Sequence, residues 1–399
     1  MFPMQIKKTF SFILLFSLVF TFCLPGFATP GELQFIDETF FTLDEEDQAQ
    51  WKQWEEEDAA KQANVAEHPS SGDDSLDISV LDPALAAQLE SIDESALAHI
   101  DLTTLETNSA LPEEYYNILI LGLDARKDTV EDALSDVIMI CSIHKKTGEI
   151  KLTSIARDTA VVVPGYKNPY KINVAYKYGW TQDPQDGGPK LAMRTVNRNF
   201  QMNIEHFMAI NFFGLAAIID SIGGVDIELS KAEANRINYE LKKEPLDKVD
   251  REKVEGTAGI HHLDGMQAVA FARIRKIDND FERTARQRRL IDALMKAIMT
   301  NMTADVFLGA VNAMLPYVYT NISTTDMLGL GLTILGSDSF QGASTGGKDF
   351  FTEFRIPMDK TYSYKDINGS SVISMGPNSL EKNITALHEF IYGQSYYEK

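Results

Sequence analysis

Three strand-length apolar runs follow one another within forty residues: Asn117–Leu123, Val137–Ile143 and Ile150–Ile155, the last two joined by a turn at Thr147-Gly148. Each is too short to be a self-supporting helix and is bounded by polar or turn-forming residues. Beyond them Leu191–Phe200 predicts a helix, His206–Phe212 a strand, and Gly214–Ile222 a second helix stopped by Gly223-Gly224. Val225–Leu229 and Ala268–Ala272 complete the strand candidates, and Thr284–Met299 is the longest helical pattern, with Leu290, Leu294 and Ile298 at helical spacing. Strands alternating with helices predict a layered α/β body with a mostly buried, mixed sheet. Further on, Val306–Leu335 reads as helical in pieces, Ser337–Lys348 as a Gly/Ser-rich loop, Phe350–Pro357 as an edge strand and Leu380–Tyr392 as a final helix. No linker separates these from the preceding helix, so residues 301–399 are expected to extend the domain of residues 115–300.

The chain ahead of Tyr115 has a different texture. Residues 29–114 predict an acidic, partly disordered spacer, because long like-charged segments repel themselves. From Glu32 to Glu114 there are 23 acidic residues against Lys52 and Lys61 alone, which equals the whole formal charge of −21. The remainder is nearly neutral, and its basic residues are clustered. Some apolar periodicity between Leu81 and Leu105 leaves room for a docked helix. Residues 1–28 read as an export signal or a membrane anchor. Lys7 and Lys8 flank the apolar run Phe10–Leu24, and Pro25-Gly26 breaks it ahead of small residues. Either way the body is expected outside the cytoplasm, membrane-associated or secreted. The two cysteines, Cys23 and Cys141, leave one for the mature chain, which excludes an intrachain disulfide framework.

Two carboxylates and a set of arginines carry the chemistry. Asp124 ends one apolar strand and Asp136 precedes the next, so both can converge on one point, as an oxygen-seeking divalent cation requires. Asp is also common wherever a strand simply turns, and spacing alone leaves that alternative open. Arg157-Asp158-Thr159 closes the third strand. Arg273-Ile274-Arg275 closes another expected strand, whose alternation would put both arginines on one face. Arg283, Arg286, Arg288 and Arg289 follow at a helix start, where they oppose the helix dipole and call for an anion. Guanidinium groups match phosphate oxygens in pairs. A solvated face salt-bridged to Asp278, Asp280 and Glu282 is the competing account. A neutral body without a reader motif argues against nucleic acid. No histidine pattern suits a metal, and no G-x-S-x-G elbow or phosphate-cradling loop is present.

Read in order, these motifs resemble the LytR-CpsA-Psr family over about Tyr115–Met299. They are Asn117 to Arg126, Ser135-Asp136, Ser154 to Thr159, Tyr170-Lys171-Ile172-Asn173 to Tyr176, Asp220 to Asp226, His262 to Gly265, and Arg273 to Gln287. The resemblance implies an α-β-α sandwich on the outer face of the membrane. It implies transfer of an anionic glycopolymer from a polyprenyl-pyrophosphate carrier to peptidoglycan. Carried over to this chain, Asp124 and Asp136 would hold Mg²⁺ or Mn²⁺. Arg157, Arg273, Arg275 and Arg283 would clamp the pyrophosphate. Lys171, Arg286, Gln287, Asp158, Asp280 and Arg126 would support it. The lipid tail would lie among Phe207, Phe212, Phe213, Leu215 and Ile218. A hydrolase using water as acceptor and a non-catalytic lipid-pyrophosphate binding module are the alternatives. The chain departs from the family's usual pattern at Leu134, where a basic residue is common, and at Val137 and Ala156.

Overall fold

A computed structural model describes residue 94 and residues 97–123, 133–166, 169–243, 252–274, 315–338, 351–367 and 370–397, with seven helical positions between 286 and 297. The expected signal segment and most of the acidic spacer lie outside the described residues. Among the described residues no helix is long and apolar enough to cross a membrane.

The three apolar runs form strands β1 (Tyr115–Leu123), β2 (Ser135–His144) and β3 (Ile150–Ile155). They are joined in one sheet by β6 (His206–Ile210), β9 (Val318–Thr320) and β10 (Phe351–Ile356). The spatial order is β10-β3-β2-β1-β6-β9. β1 pairs antiparallel with β2 and β2 antiparallel with β3, while β1–β6 and β10–β3 are parallel. The sheet is therefore mixed. Four short strands form two-stranded ribbons outside it: β4 (Ala160–Val162) with β5 (Pro169–Lys171), and β7 (Val225–Leu229) with β8 (Gly259–Leu263). A third ribbon pairs β11 (Ser363–Ile367) with β12 (Ser370–Ser374).

Strand alternation divides the buried side chains into two cores. Ile118, Ile120, Met139, Cys141, Leu152 and Met208 point to one face, while Leu119, Leu121, Ile138, Ile140, Phe207 and Ala209 point to the other. Burying both faces is why the strands read as continuous apolar runs. The first face is covered by α3 (Phe212–Ser221), α4 (Lys231–Lys243), α5 (Gly265–Ala272) and α6 (Thr324–Leu335). The second is covered by α1 (Val174–Gln182), α2 (Gly187–Phe200) and α7 (Pro377–Tyr392). This is a three-layer α/β arrangement. Helices α1 and α2 touch backbone to backbone: a Cβ on Gly179 would lie 1.9 Å from the Gly187 carbonyl oxygen, so neither position takes a side chain.

Two sequence expectations are corrected. Ala268–Ala272 is helix, not strand. Asp264 accepts from the Gln267 amide while the Gln267 side chain accepts from the Asp264 amide, a capping box that starts a helix. All eight residues of α5 are buried, so the segment lacks the polar face that reveals a helix in sequence. The packed body also begins before Tyr115. Leu105 and Leu111 are buried, the Ala98 amide donates to the Thr320 carbonyl at 2.8 Å, and Asn197 Nδ2 donates to the Leu105 carbonyl at 2.9 Å. The end of the acidic segment thus lies against the sheet edge and α2.

Candidate functional site

Strand directions bring the candidate residues to one edge of the sheet. The ends of β1, β3, β6 and β10 and the start of the antiparallel β2 all lie there. Ile138 on β2 pairs with Ile155 on β3, so two residues further out Asp136 meets Arg157. Arg157 Nη1 lies 2.9 Å from Asp136 Oδ2, and its Nε lies 3.8 Å from Asp158 Oδ2. Lys171 Nζ reaches Asp158 Oδ1 at 2.8 Å. Asp136, Arg157, Asp158 and Lys171 therefore form one line of alternating charge. Their side chains are 16–28% exposed, open enough to meet a ligand and fixed enough to be pre-aimed.

The backbone around this line is tied from three sides. Ser135 donates its amide and hydroxyl to the Asn173 carbonyl, both at 3.2 Å, and the Asn173 amide donates to the Arg157 carbonyl at 3.3 Å. Ile172 donates to Thr159 at 2.9 Å, and Ile373 of β12 donates to Asp158 at 2.8 Å. Asn173 thus staples the start of β2 to the residues after β3, just ahead of α1. It stood in a quoted motif without a role, and the helix it precedes, buried nearly all round, gave no cue to it in the sequence.

Arg273 lies elsewhere on the same edge, as the C-cap of α5, with its guanidinium 4.7 Å from the centre of the Phe212 ring. The strand alternation expected for Arg273 and Arg275 does not apply, because the preceding residues are helical. Phe212, Phe213, Leu215 and Ile218 join the core on the α3–α5 face, whereas Phe207 is fully buried on the opposite face against Tyr319. Phe207 is removed from the expected tunnel wall.

Arg286 is turned inward. It is 1% exposed, donates to the Ile274 carbonyl at 3.1 Å, and lies 3.7 Å from Glu233. Arg289 pairs with the same carboxylate, donates to the Glu228 carbonyl at 2.7 Å and stacks over Phe271. Burial alone would raise the Glu233 pKa, but hydrogen bonds from Arg289 and Ser230 and the arginine charge outweigh it and hold the carboxyl below its ordinary value. This cluster braces α4 against α5. Asp124, Arg126, Arg275, Asp280, Arg283 and Gln287 lie outside the described residues. Among the described residues no group of three or more His, Cys, Asp or Glu side chains gathers to hold a cation. A cavity of about 400 Å³ beside His261, His262, Glu252 and Asp264 includes none of the candidate residues. Cys141 is fully buried, and burial pushes its thiol up, so it is an inert core residue.

The LytR_cpsA_psr family model matches residues 85–368, well over half of the chain. The chain belongs to this family. Within it, the chain is 27% identical over 223 residues to the polyisoprenyl-teichoic acid–peptidoglycan teichoic acid transferase TagU of Enterococcus faecalis, a match that takes in 55% of this chain and 66% of TagU. It is 26% identical over 262 residues to the like-named transferase TagT of Bacillus subtilis, taking in 63% of this chain and 76% of TagT. The solved structure of protein gbs0355 from Streptococcus agalactiae superposes with a TM-score of 0.50 at 21% identity, covering 72% of this chain and 90% of that one. That likeness is one of fold. The family match begins thirty residues before β1 and so includes the docked acidic end described above.

Proposed function

We infer that this LytR-CpsA-Psr chain is an extracytoplasmic phosphotransferase that moves an anionic glycopolymer from a polyprenyl-pyrophosphate carrier to peptidoglycan. The observation that carries this reading is the Asp136–Arg157–Asp158–Lys171 line at the sheet edge. The names of the relatives, which say that they transfer teichoic acid to peptidoglycan, support it. Phosphoryl transfer depends on positioning and on stabilising charge at the phosphate oxygens, so fixed guanidinium groups serve it without a covalent nucleophile. Asp136 and Asp158 orient Arg157, and Lys171, held by Asp158, adds a point charge on the same side.

The donor chemistry here also fits a divalent cation. Asp136 is a partly exposed carboxylate at the edge where β1 ends, and Mg²⁺ needs only one or two such groups plus waters and phosphate oxygens. Asp136, with Asp124 just beyond β1, would hold it. When bound it would neutralise charge on the pyrophosphate. A second reading, a non-catalytic lipid-pyrophosphate binding module, draws on Leu134, a partly buried apolar residue packed on the core beside this site.

The deciding experiment incubates the full chain with a lipid-pyrophosphate oligosaccharide, Mg²⁺ and peptidoglycan fragments. Covalent transfer to the fragments is the expected result. Hydrolysis without transfer would replace this reading with the hydrolase, and binding without turnover would replace it with the binding module.

A further inference from the structure

The ribbon β11–β12 stands at the polar end of the site. The Ile373 amide donates to the Asp158 carbonyl at 2.8 Å, and Thr159 and Ile373 form a parallel bridge. That bridge stitches two ribbons together. Lys171 on β5 pairs with Ala160 on β4, the neighbouring Thr159 bridges Ile373 on β12, and Ile373 pairs with Tyr364 on β11. At about 4.8 Å per strand, Tyr364 lies roughly 10 Å from the Asp158 backbone and roughly 14 Å from that of Lys171. Both lengths suit a short run of sugar rings.

The surface chemistry of β11 is unusual for a strand. Four of its five residues are exposed. Tyr364 is 50% exposed, and its ring meets Tyr362 edge-on at 5.9 Å. Tyrosine offers a flat apolar face for the C–H side of a sugar and a hydroxyl for its polar rim. Residues 351–374 are also electrically balanced, with Glu353, Asp359 and Asp366 against Arg355, Lys360 and Lys365. Such a surface has no net pull on a polyanion, and it suits a glycan strand better than an anionic polymer.

Direction decides which glycan. The opposite end of the same edge, where Arg273 lies over Phe212 at the start of α3 and Phe213, Leu215 and Ile218 follow, is rich in apolar side chains and suits the lipid. In-line displacement brings the attacking hydroxyl from the side opposite the leaving group. With polyprenyl phosphate leaving toward α3 and α5, the acceptor arrives from the β10 side, over β11–β12. We propose that the β11–β12 ribbon, with Tyr364 as its central contact, is the docking surface for the acceptor peptidoglycan glycan strand. This rests on the transfer reading above.

The test measures binding of three probes to the full chain and to Tyr364→Ala and Tyr364→Phe. The probes are a soluble N-acetylglucosamine–N-acetylmuramic acid tetrasaccharide, a short-chain polyprenyl pyrophosphate and a poly(glycerol phosphate) oligomer. Tyr364→Ala is expected to weaken tetrasaccharide binding by roughly fivefold, the scale of one aromatic contact, while Tyr364→Phe retains it. Polyprenyl-pyrophosphate affinity is expected to be equal in all three. No tetrasaccharide binding by the wild-type chain, or equal binding by Tyr364→Ala, overturns the proposal. So does a Tyr364→Ala loss confined to a poly(glycerol phosphate) probe, which would make the ribbon a donor site. If no form binds the pyrophosphate while tetrasaccharide binding still follows Tyr364, the transfer reading fails and the docking surface stands.

Discussion

Two of the arginine–carboxylate clusters among the described residues are built to opposite ends. Around Arg157 two carboxylates and two cations alternate, each 16–28% exposed, at the ends of strands. Around Glu233 one carboxylate serves two arginines, with the Glu233 side chain 7% and that of Arg286 1% exposed. Arginines in both clusters belong to sequence motifs that suggest a phosphate site. The Arg286 guanidinium is turned into the protein, donating to the Ile274 carbonyl beside Glu233, whereas that of Arg157 keeps some reach toward solvent. Arg289, 36% exposed, shares the Glu233 carboxylate with the buried Arg286, so motif membership alone does not separate binding from bracing.

The contrast can be broken most forcefully at Glu233. Glu233→Ala leaves Arg286 buried beside a lost partner and is expected to destabilise the fold by about 3–5 kcal/mol, read by denaturant unfolding. Its carboxyl is held below the ordinary value of 4.5, so the pair's contribution is complete above that pH and is lost as pH falls through the lower folded value. Glu233→Gln should remove that acid-dependent component. A variant with wild-type stability would show that Glu233 braces nothing. Arg157→Ala should act the other way round. Transfer is expected to fall by about 10²–10³-fold, as for loss of one positioned donor at an anionic transition state, with little change in unfolding free energy. A large stability loss with wild-type turnover would merge the two clusters into one kind.

A third region sharpens the comparison with a titratable group set by stacking and burial rather than by an opposite charge. His206 stacks on Tyr116 with ring centres 4.3 Å apart and nearly parallel planes. Burial, helped by nearby Lys145, lowers its pKa from 6.5 to about 4. The unfolded chain therefore binds the proton first, and stability is full above pH 6.5 and declines as pH falls toward 4. The loss amounts to about 3 kcal/mol between pH 7 and pH 4, and His206→Phe, which keeps the stack, should abolish it. An unchanged pH profile in that variant would remove His206 as the cause.

What the sequence reveals follows the same physics. The strands from residue 117 to 155 were legible because both faces of the sheet are covered, which leaves continuous apolar runs. The edge strand β10 and the last helix were legible from their turn residues and periodicity. Helix α5 was not, since an eight-residue helix buried all round shows no polar face and resembles a buried strand. Helix α1 was hidden in the same way, with Val174, Ala175, Tyr176, Tyr178, Gly179 and Trp180 all buried. Asp136 and Arg157 stood out as charged residues at strand ends, whereas Lys171 and the supporting role of Asp158 came from the family resemblance alone. The inward turn of Arg286 was not legible because charge in a sequence does not say which way a side chain turns, and its carboxylate partner lies 53 positions away.

Leu134 tests the site at its most unusual position, with the smallest effect. It packs partly buried on the second core, next to Ser135, whose amide donates to the Asn173 carbonyl. A long cationic side chain there can keep its aliphatic stem on the core and extend its head toward Arg157 and Asp136. Leu134→Arg is therefore expected to tighten polyprenyl-pyrophosphate binding by roughly threefold, since a partly solvated charge contributes under about 1 kcal/mol. Replacing the packed leucine should cost a comparable amount of stability, and Leu134→Met, of similar volume, should change neither quantity. The gain should also shrink in high salt, because an exposed charge is screened and a buried contact is not. A salt-insensitive gain would mean that the substitution reshaped the β2 start. No gain at any salt concentration would place the phosphate beyond reach of position 134 and move the anion toward Arg273.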